Sequence, residues 1–192
     1  YGADFVRQVG EMGFKVFLDL KLYDIPNTVA SAVKSLEGLP VSMLTIHTSG
    51  GAEMMKAALN AAKETNKEMQ ILGVTVLTSF DEDSMRATGF DRTPSEQVLK
   101  LARLAEESGL SGLVCSPLEI DLLRKNLKSE MDLITPGIRP AGSDANEQKR
   151  IMTPSLAAKT GSSYIVVGRP ILKAENPAEP AKAIIKELKD AK

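Results

Sequence analysis

Six short apolar segments alternate with amphipathic helical segments along almost the whole chain, and this alternation restricts the fold more than any single motif does. The predicted strands cover 16–22, 43–46, 70–77, 112–115, 131–134 and 164–167. Strands that alternate with helices indicate parallel pairing with helical crossovers. Both a (β/α)8 barrel and an open doubly wound sheet satisfy this pattern. The Gly-x-Gly-x-x-Gly fingerprint follows none of these strands, which counts against a dinucleotide-binding sheet.

The first predicted strand carries two charges of opposite sign, Asp19 and Lys21, and a second carboxylate, Asp24, follows where it ends. Side chains two positions apart share a face of a strand, so Asp19 and Lys21 are expected side by side. The strand is otherwise predicted to be buried, with its opposite face formed by Val16, Leu18, Leu20 and Leu22. A structural ion pair is one interpretation. Because buried charges lose several kcal/mol each in desolvation, a cluster with a surplus carboxylate favours a functional site.

Polar residues also follow the other predicted strands. They are His47, Thr48 and Ser49, then Thr78 and Ser79, then Gly137 and Arg139, and finally Gly168 and Arg169. The carboxyl ends of the strands of a barrel form one face, where active sites are built. The distribution therefore favours a (β/α)8 TIM barrel with its active site at that face.

The last two strand ends predict a phosphate site. Gly137 and Arg139 follow one strand, and Gly168 and Arg169 follow the next. Glycine lets backbone N–H groups approach an anion, and arginine donates a fork of hydrogen bonds that matches phosphate oxygens. Either pair alone is also compatible with a solvated arginine beside a turn. Barrels frequently bind phosphate at their last two strands, however, and both pairs lie there.

The composition indicates one globular domain over residues 1–192, with 43 % hydrophobic and 26 % charged residues. A net charge of −1 gives no reason to expect nucleic-acid or membrane-surface binding. No apolar run approaches the roughly 20 residues that span a bilayer. The single cysteine, Cys115, favours a reducing cytoplasm and a place in the core. His47 is the only histidine, which excludes a multi-histidine metal site.

The chain resembles the bacterial type of the orotidine 5′-phosphate decarboxylase family. The matching motifs occur in family order and are Asp19–Thr28 (Asp-Leu-Lys-Leu-Tyr-Asp-Ile-Pro-Asn-Thr), His47–Gly51, Leu77–Ser79, Thr135–Pro140, Gln148–Arg150 and Val167–Ile171. An Asp-x-Lys-x-x-Asp motif alone is shared with relatives that act on sugar phosphates. Its continuation as Ile-Pro-Asn-Thr, together with Thr-Pro-Gly-Ile-Arg, is much more specific.

The resemblance implies decarboxylation of orotidine 5′-monophosphate to UMP without a metal or organic cofactor. It implies that Lys21, Asp19 and Asp24 form the catalytic network. The substrate-binding residues that it implies are Thr28, Thr78, Ser79, Pro136, Gly137, Arg139, Gln148, Gly168 and Arg169. Of the catalytic and substrate-binding residues, Asp24 and Thr28 would reach the active site of a second subunit, so a homodimer with shared active sites is implied. The polar loop 139–150 is expected to act as a lid.

The family barrel has eight βα units, and this chain begins in what resembles the second helix. The first two βα units are therefore expected to be absent from the sequence. Barrels of this type typically need about 250 residues, with smaller versions near 200. In the family, the first two strands supply an aspartate near the ribose and a further lysine, so this difference bears on the activity of the chain by itself.

Two alternatives remain open at this point. Asp19 and Asp24 would be Mg²⁺ ligands in a decarboxylase or aldolase of a ketose phosphate, although Lys21 beside them disfavours a cation. A fragment that binds nucleotides without catalysis is the second alternative, because the upstream strands are absent. EDTA sensitivity tests the first alternative, and UMP binding without turnover would indicate the second.

Overall fold

The computed structural model describes residues 2–140 and 152–191, in which strands and helices alternate as the sequence predicts. The strands are β1 (Val16–Leu22), β2 (Val41–His47), β3 (Gln70–Val74), β4 (Gly112–Val114), β5 (Asp132–Thr135) and β6 (Tyr164–Ile165). The helices are α1 (Gly2–Glu11), α2 (Pro26–Lys34), α3 (Gly51–Thr65), α4 (Glu82–Ala87), α5 (Pro94–Glu107), α6 (Ile120–Asn126), α7 (Pro154–Thr160), α8 (Arg169–Leu172) and α9 (Ala178–Asp190). Single 3₁₀ turns cover Thr48–Gly50 and Pro117–Glu119.

The strand order decides between the two α/β architectures that the sequence left open. Within the described residues, the sheet order is β1-β2-β3-β4-β5-β6, the same as the order along the chain. β2 is parallel to both β1 and β3, and β5 is parallel to β6. A doubly wound sheet reverses its strand order at a switch point. The consecutive order is that of a singly wound, TIM-barrel-like fold, which confirms the predicted fold class.

The chain divides into two compact units, which we describe separately. Unit 1 comprises Tyr1–Thr75 and Leu101–Leu113. Its core includes residues of β2, β3 and α3, and α2 packs against α3. Fully buried side chains in this core include Leu44, Ile46, Met54, Met55, Ile71 and Leu72. Burial of these apolar side chains is the main favourable term in forming the unit.

Unit 2 comprises Val76–Lys100 and Val114–Lys192. Its core includes Cys115, Ile120, Leu123, Leu133 and Ile134, so Cys115 is a core residue, as predicted. α7 packs against α9. The guanidinium group of Arg124 donates to the carbonyl oxygens of Gly161 (2.7 and 2.9 Å) and Met131 (2.6 Å), which would otherwise lack these donors. The single domain over residues 1–192 remains a prediction.

Local sequence signals explain several helix boundaries. Thr93 and Glu96 form a capping box at α5: the Thr93 N–H donates to Glu96 Oε2 (2.9 Å), and the Glu96 N–H donates to Thr93 Oγ1 (3.3 Å). The Thr93 hydrogen bonds lower the pKa of Glu96 because they favour its ionised form. Asp81 caps α4 by accepting from the Ser84 N–H (3.0 Å).

The prediction that β1 is a buried strand is wrong. Its residues are half-buried or exposed, and Leu20, which was assigned to an apolar face, is 49 % exposed. The physical reason is its place in the sheet: within the described residues β1 is the first strand in the order and pairs only with β2.

Among the described residues, no helix is both long enough and apolar enough to cross a membrane.

Candidate active site

β1 leaves its regular pairing with β2 where its charged residues lie. Leu18 pairs with Leu44 and Leu22 pairs with Ile46, so residues 19–21 lie opposite Thr45 alone. Two extra residues in one strand produce a bulge, a feature often found beside active sites. Lys21 has φ of +50° and is the only non-glycine residue with positive φ in the described part of the chain. The left-handed conformation costs about 1–2 kcal/mol for a residue with a Cβ, and such strain is concentrated at functional sites.

The structure brings Asp19 and Lys21 together, as the sequence predicted. Lys21 Nζ lies 2.5 Å from Asp19 Oδ2. The bulge, rather than regular strand alternation, produces this contact. The two side chains are 43 % and 38 % exposed. An ion pair this exposed contributes at most about 1 kcal/mol to stability, so stability gives little reason for the strained backbone.

Thr45 is a site residue that the sequence analysis missed. It is fully buried in β2, and its Oγ1 accepts a hydrogen bond from the Lys21 backbone N–H (2.9 Å). The same hydroxyl donates to Asp19 Oδ1 (2.8 Å). The available signal was one hydroxyl residue in the apolar run Val41–Ile46, beside the charged strand. That signal is weak, because threonine is common in strands for its shape alone.

Asp24 and Thr28 lie at the start of α2, and both are exposed. Asp24 Oδ1 accepts a hydrogen bond from the Ile25 N–H at 2.7 Å. Within the described residues, Asp24 forms no ion pair with Lys21, so the structure brings only Asp19 to the lysine. Pro26 at the first helical position explains why α2 begins here.

His47, the last residue of β2, is half-buried beside the charged pair. Its ring centroid lies 5.8 Å from that of Tyr23. The pKa of His47 is lowered, chiefly by burial and then by the positive charge of Lys21, while Asp19 opposes the shift. Burial and the charge of Lys21 therefore both favour the neutral imidazole over a second cation beside the pair.

In unit 2, Arg139 is buried with incomplete hydrogen bonding. It follows Gly137, whose φ of +83° favours glycine at this turn. Arg139 Nη1 donates to the Ile138 carbonyl oxygen (2.8 Å), but its Nε is buried and has no hydrogen-bond partner among the described residues. Burial and then the charge of Arg169 lower the pKa of Arg139. The buried Nε–H of the Arg139 guanidinium group lies near the second positive charge of Arg169. An anion would accept a hydrogen bond from this group and compensate both charges.

Gly168 and Arg169 lie where β6 leads into α8. The Gly168 carbonyl oxygen accepts from the N–H groups of Ile171 (2.9 Å) and Leu172 (3.0 Å), which fixes the turn. Among the described residues, no atom lies within 4 Å of a Cβ placed at Gly168. The space beside this backbone would allow the close approach of a ligand.

The remaining predicted site residues have less defined surroundings. Thr78 is half-buried and Ser79 is exposed, in a turn closed by a hydrogen bond from the Phe80 N–H to the Leu77 carbonyl oxygen (2.9 Å). Pro136 is half-buried directly after β5. Gln148 lies outside the described residues, as does most of the proposed lid 139–150. Among the residues that the structure describes, no three His, Cys, Asp or Glu side chains are grouped so that they could hold a metal ion.

The fold and these clusters define a class of protein: a TIM-barrel-like fold with a lysine–aspartate pair at the end of β1 and a buried arginine after β5. The chain belongs to the orotidine 5′-phosphate decarboxylase / HUMPS family, whose family model matches residues 1–184. The family expected from the sequence is therefore confirmed.

Individual relatives agree with the family match. The chain is 53 % identical to the orotidine 5′-phosphate decarboxylase of Opitutus terrae over 188 residues, which cover 98 % of this chain and 82 % of the relative. It is 52 % identical to that of Actinobacillus succinogenes, with coverage of 95 % and 79 %. The crystal structure of the Lactobacillus acidophilus decarboxylase superposes with a TM-score of 0.86 at 40 % identity, covering 97 % of this chain and 81 % of that one. The chain thus spans about four fifths of the length of these relatives.

Proposed function

We propose that this chain catalyses the decarboxylation of orotidine 5′-monophosphate to UMP in pyrimidine biosynthesis, without a metal or organic cofactor. The family match and the names of relatives about half identical to this chain support this activity. The single structural observation that carries the proposal is the Asp19–Lys21 pair, held on a strained bulge where β1 ends.

Lys21 is the proposed cation and proton donor. When the bond between C6 and the carboxylate breaks, CO2 leaves and the electron pair stays on C6, where no carbonyl group delocalises it. The Lys21 ammonium stabilises that negative charge and then transfers one of its protons to C6, which gives UMP. The resulting neutral amine regains a proton from solvent before the next turnover.

Asp19 holds the ammonium group of Lys21 through the 2.5 Å contact and fixes its direction. In the same position its charge would repel the substrate carboxylate, which departs as neutral CO2. Two unit charges about 4 Å apart interact by about 4 kcal/mol at an effective dielectric constant near 20. Asp19 therefore acts both on the proton donor and on the leaving group.

Arg139 and Arg169 are the proposed phosphate ligands, together with Gln148 and the glycines Gly137 and Gly168. Two observations on the described residues support this role: Arg139 Nε has no hydrogen-bond partner among them, and none of their atoms lies within 4 Å of a Cβ placed at Gly168. Pro136 shapes the same turn. Thr78 and Ser79 are the proposed contacts to the ribose or the pyrimidine. Binding energy gained at the phosphate, away from C6, can be used to position the substrate and close the site.

A cytoplasmic homodimer with shared active sites completes the proposal. Asp24 and Thr28 would each contribute to the active site of the second subunit. They lie beside Tyr23 and Ile25, which are 64 % and 68 % exposed, and contiguous exposed apolar surface often marks a protein interface. Sedimentation velocity of the purified chain tests the dimer, and a monomer at all concentrations would contradict it.

In the decisive experiment, the purified chain is mixed with orotidine 5′-monophosphate in EDTA and the fall in pyrimidine absorbance is measured. Mass spectrometry of the same sample establishes which chain was assayed. Turnover in EDTA establishes a metal-free decarboxylase. UMP binding without turnover would instead indicate a nucleotide-binding chain. Activity on a ketose phosphate that requires Mg²⁺ and disappears in EDTA would overturn the proposal in favour of the sugar-phosphate alternative.

A further inference from the structure

We propose that Thr45 is a positioning residue that holds Lys21 and Asp19 in their reactive arrangement through a single buried hydroxyl group. Three hydrogen bonds form a closed ring. The Lys21 N–H donates to Thr45 Oγ1 (2.9 Å), Thr45 Oγ1 donates to Asp19 Oδ1 (2.8 Å), and Lys21 Nζ donates to Asp19 Oδ2 (2.5 Å). Both the backbone and the side chain of Lys21 are therefore tied to the same carboxylate.

The direction of the Thr45 hydroxyl follows from its partners. A hydroxyl has one hydrogen to donate, and an ionised carboxylate can only accept. Because the oxygen already accepts from the Lys21 N–H, its hydrogen points to Asp19. Thr45 is fully buried, between the fully buried Leu44 and Ile46, so no water replaces its hydroxyl without rearrangement of the strand. The orientation of Asp19 is thereby set from inside the core.

The ring also explains how the strained backbone persists. Regular parallel pairing would give the Lys21 N–H a backbone carbonyl acceptor on β2. The bulge places two extra β1 residues opposite Thr45, and the Thr45 hydroxyl accepts that N–H instead. An unpaired N–H in this half-buried position would add to the cost of the left-handed conformation of Lys21. Loss of the hydroxyl should therefore let both the backbone and the ammonium group move.

Thr45→Val removes the hydroxyl and keeps the shape of the side chain. A test by turnover rests on the proposed function. We therefore combine it with a second measurement that does not depend on catalytic activity. We expect Thr45→Val to lower kcat about 10- to 100-fold, since misplacement of a reacting group by about 1 Å has effects of this size. KM and UMP affinity should change less than about threefold, because the hydroxyl acts on the proton donor and not on the bound nucleotide. Thr45→Ser keeps the hydroxyl and should restore kcat to within about threefold of wild type.

The second measurement is hydrogen exchange at the Lys21 amide, followed by NMR. Without its acceptor this amide should exchange at least about tenfold faster in Thr45→Val than in wild type, while the amides of Leu44 and Ile46 stay protected. Thr65→Val is the matched control. It removes one hydroxyl from the same unit, where Thr65 Oγ1 donates to the Ala61 carbonyl oxygen (2.7 Å), and it should leave both kcat and Lys21 exchange unchanged.

The outcomes separate the two proposals. If wild type does not decarboxylate orotidine 5′-monophosphate, the proposed function fails, and Lys21 exchange alone decides the role of Thr45. Wild-type kcat in Thr45→Val, or unchanged Lys21 exchange, would overturn the positioning role. If Thr45→Val does not fold, Thr45→Ala and Thr45→Ser make the same comparison. A loss of kcat in Thr45→Ser equal to that in Thr45→Ala would also overturn it.

Discussion

The two charged clusters of this chain differ in how far their charges are compensated. In unit 1, the Lys21 ammonium and the Asp19 carboxylate contact each other, and Thr45 occupies the second carboxylate oxygen. In unit 2, Arg139 faces the like charge of Arg169, and a buried nitrogen of its guanidinium group has no partner in the described part of the chain. Among the residues that the structure describes, the first cluster has its hydrogen-bonding groups paired, whereas the second keeps an unpaired donor.

This difference teaches how the two clusters would divide the work of a decarboxylase. Groups that act on the transition state are most effective when they are already oriented before substrate arrives. A group that binds the ground state can instead leave donors unpaired, because the ligand then satisfies them and contributes affinity. We therefore expect substitutions in the first cluster to act on turnover and substitutions in the second to act on nucleotide binding.

The largest expected effect is that of Lys21→Ala. Removal of both the stabilising cation and the proton donor should lower kcat by about 10⁴-fold or more. UMP binding, measured by calorimetry, should stay within about tenfold of wild type, because UMP has no charge at C6 for the lysine to stabilise. The absorbance assay in EDTA gives the turnover of both proteins.

Lys34→Ala is the matched control for this substitution. Lys34 is an exposed lysine of the same unit, paired with Glu64 at 2.7 Å on the surface, and its loss should leave kcat unchanged. Near-normal turnover in Lys21→Ala would contradict both the catalytic assignment and the division of roles between the clusters.

The next largest effect separates the roles of two arginines within unit 2, the buried Arg139 and the half-buried Arg124. Arg139→Met should weaken UMP binding about 10- to 100-fold and leave the binding of uridine, which has no phosphate, unchanged. The free energy of unfolding without ligand should not fall, because a poorly paired buried cation beside Arg169 is itself costly. Calorimetry and urea unfolding measure the two quantities.

Arg124→Met is the opposite case. Arg124 donates to the carbonyl oxygens of Gly161 and Met131 and to Ser163 Oγ, so its loss should lower the stability by about 2–3 kcal/mol. The ratio of UMP to uridine affinity should not change. If Arg139→Met destabilises the protein as Arg124→Met does while the UMP to uridine ratio stays constant, Arg139 is a structural residue and the phosphate role is wrong.

The sequence predicted the architecture well because the fold depends on patterns that are local. Apolar runs, helical spacing and the Thr93–Glu96 capping box each need only a few neighbouring residues, and the structure contains the corresponding elements. The exposure of β1 could not be predicted in this way. Its apolar residues resemble those of a buried strand, but burial depends on which strands pair with it, and within the described residues only β2 does.

The candidate site was predictable in its residues but not in its geometry. Spacing placed Asp19 beside Lys21, and the structure confirms that contact. The bulge that produces it, the left-handed backbone of Lys21 and the hydroxyl of Thr45 are consequences of pairing between residues 24 or more positions apart. No pattern within one segment encodes such a contact. The roles of Thr78, Ser79 and Pro136 stay predictions.

The smallest expected effect is on the pKa of His47, and it tests whether the opposite charges of Asp19 and Lys21 cancel at neighbouring groups. His47 reports on this, because Lys21 lowers its pKa more than Asp19 raises it. It is the only histidine in the sequence, so tag-free protein gives one imidazole resonance whose chemical shift can be followed against pH. We expect the pKa of His47 to lie below its ordinary value of 6.5 in wild type. It should rise in Lys21→Met and fall further in Asp19→Asn.

The same shift has a consequence for stability. With a lowered pKa in the folded state, His47 binds its proton more tightly when the chain is unfolded, so protonation favours unfolding. The free energy of unfolding should therefore decrease as the pH falls from above 6.5 through the folded pKa, and this contribution should disappear in His47→Gln. Urea unfolding between pH 5 and 7.5 measures the difference between the two proteins. Equal pH dependence in both proteins would contradict the lowered pKa of His47. An unchanged His47 pKa in Lys21→Met would show that the charge of Lys21 has no net effect at His47. The Asp19–Lys21 pair would then be electrostatically neutral toward His47, and burial alone would account for the lowered pKa of this imidazole.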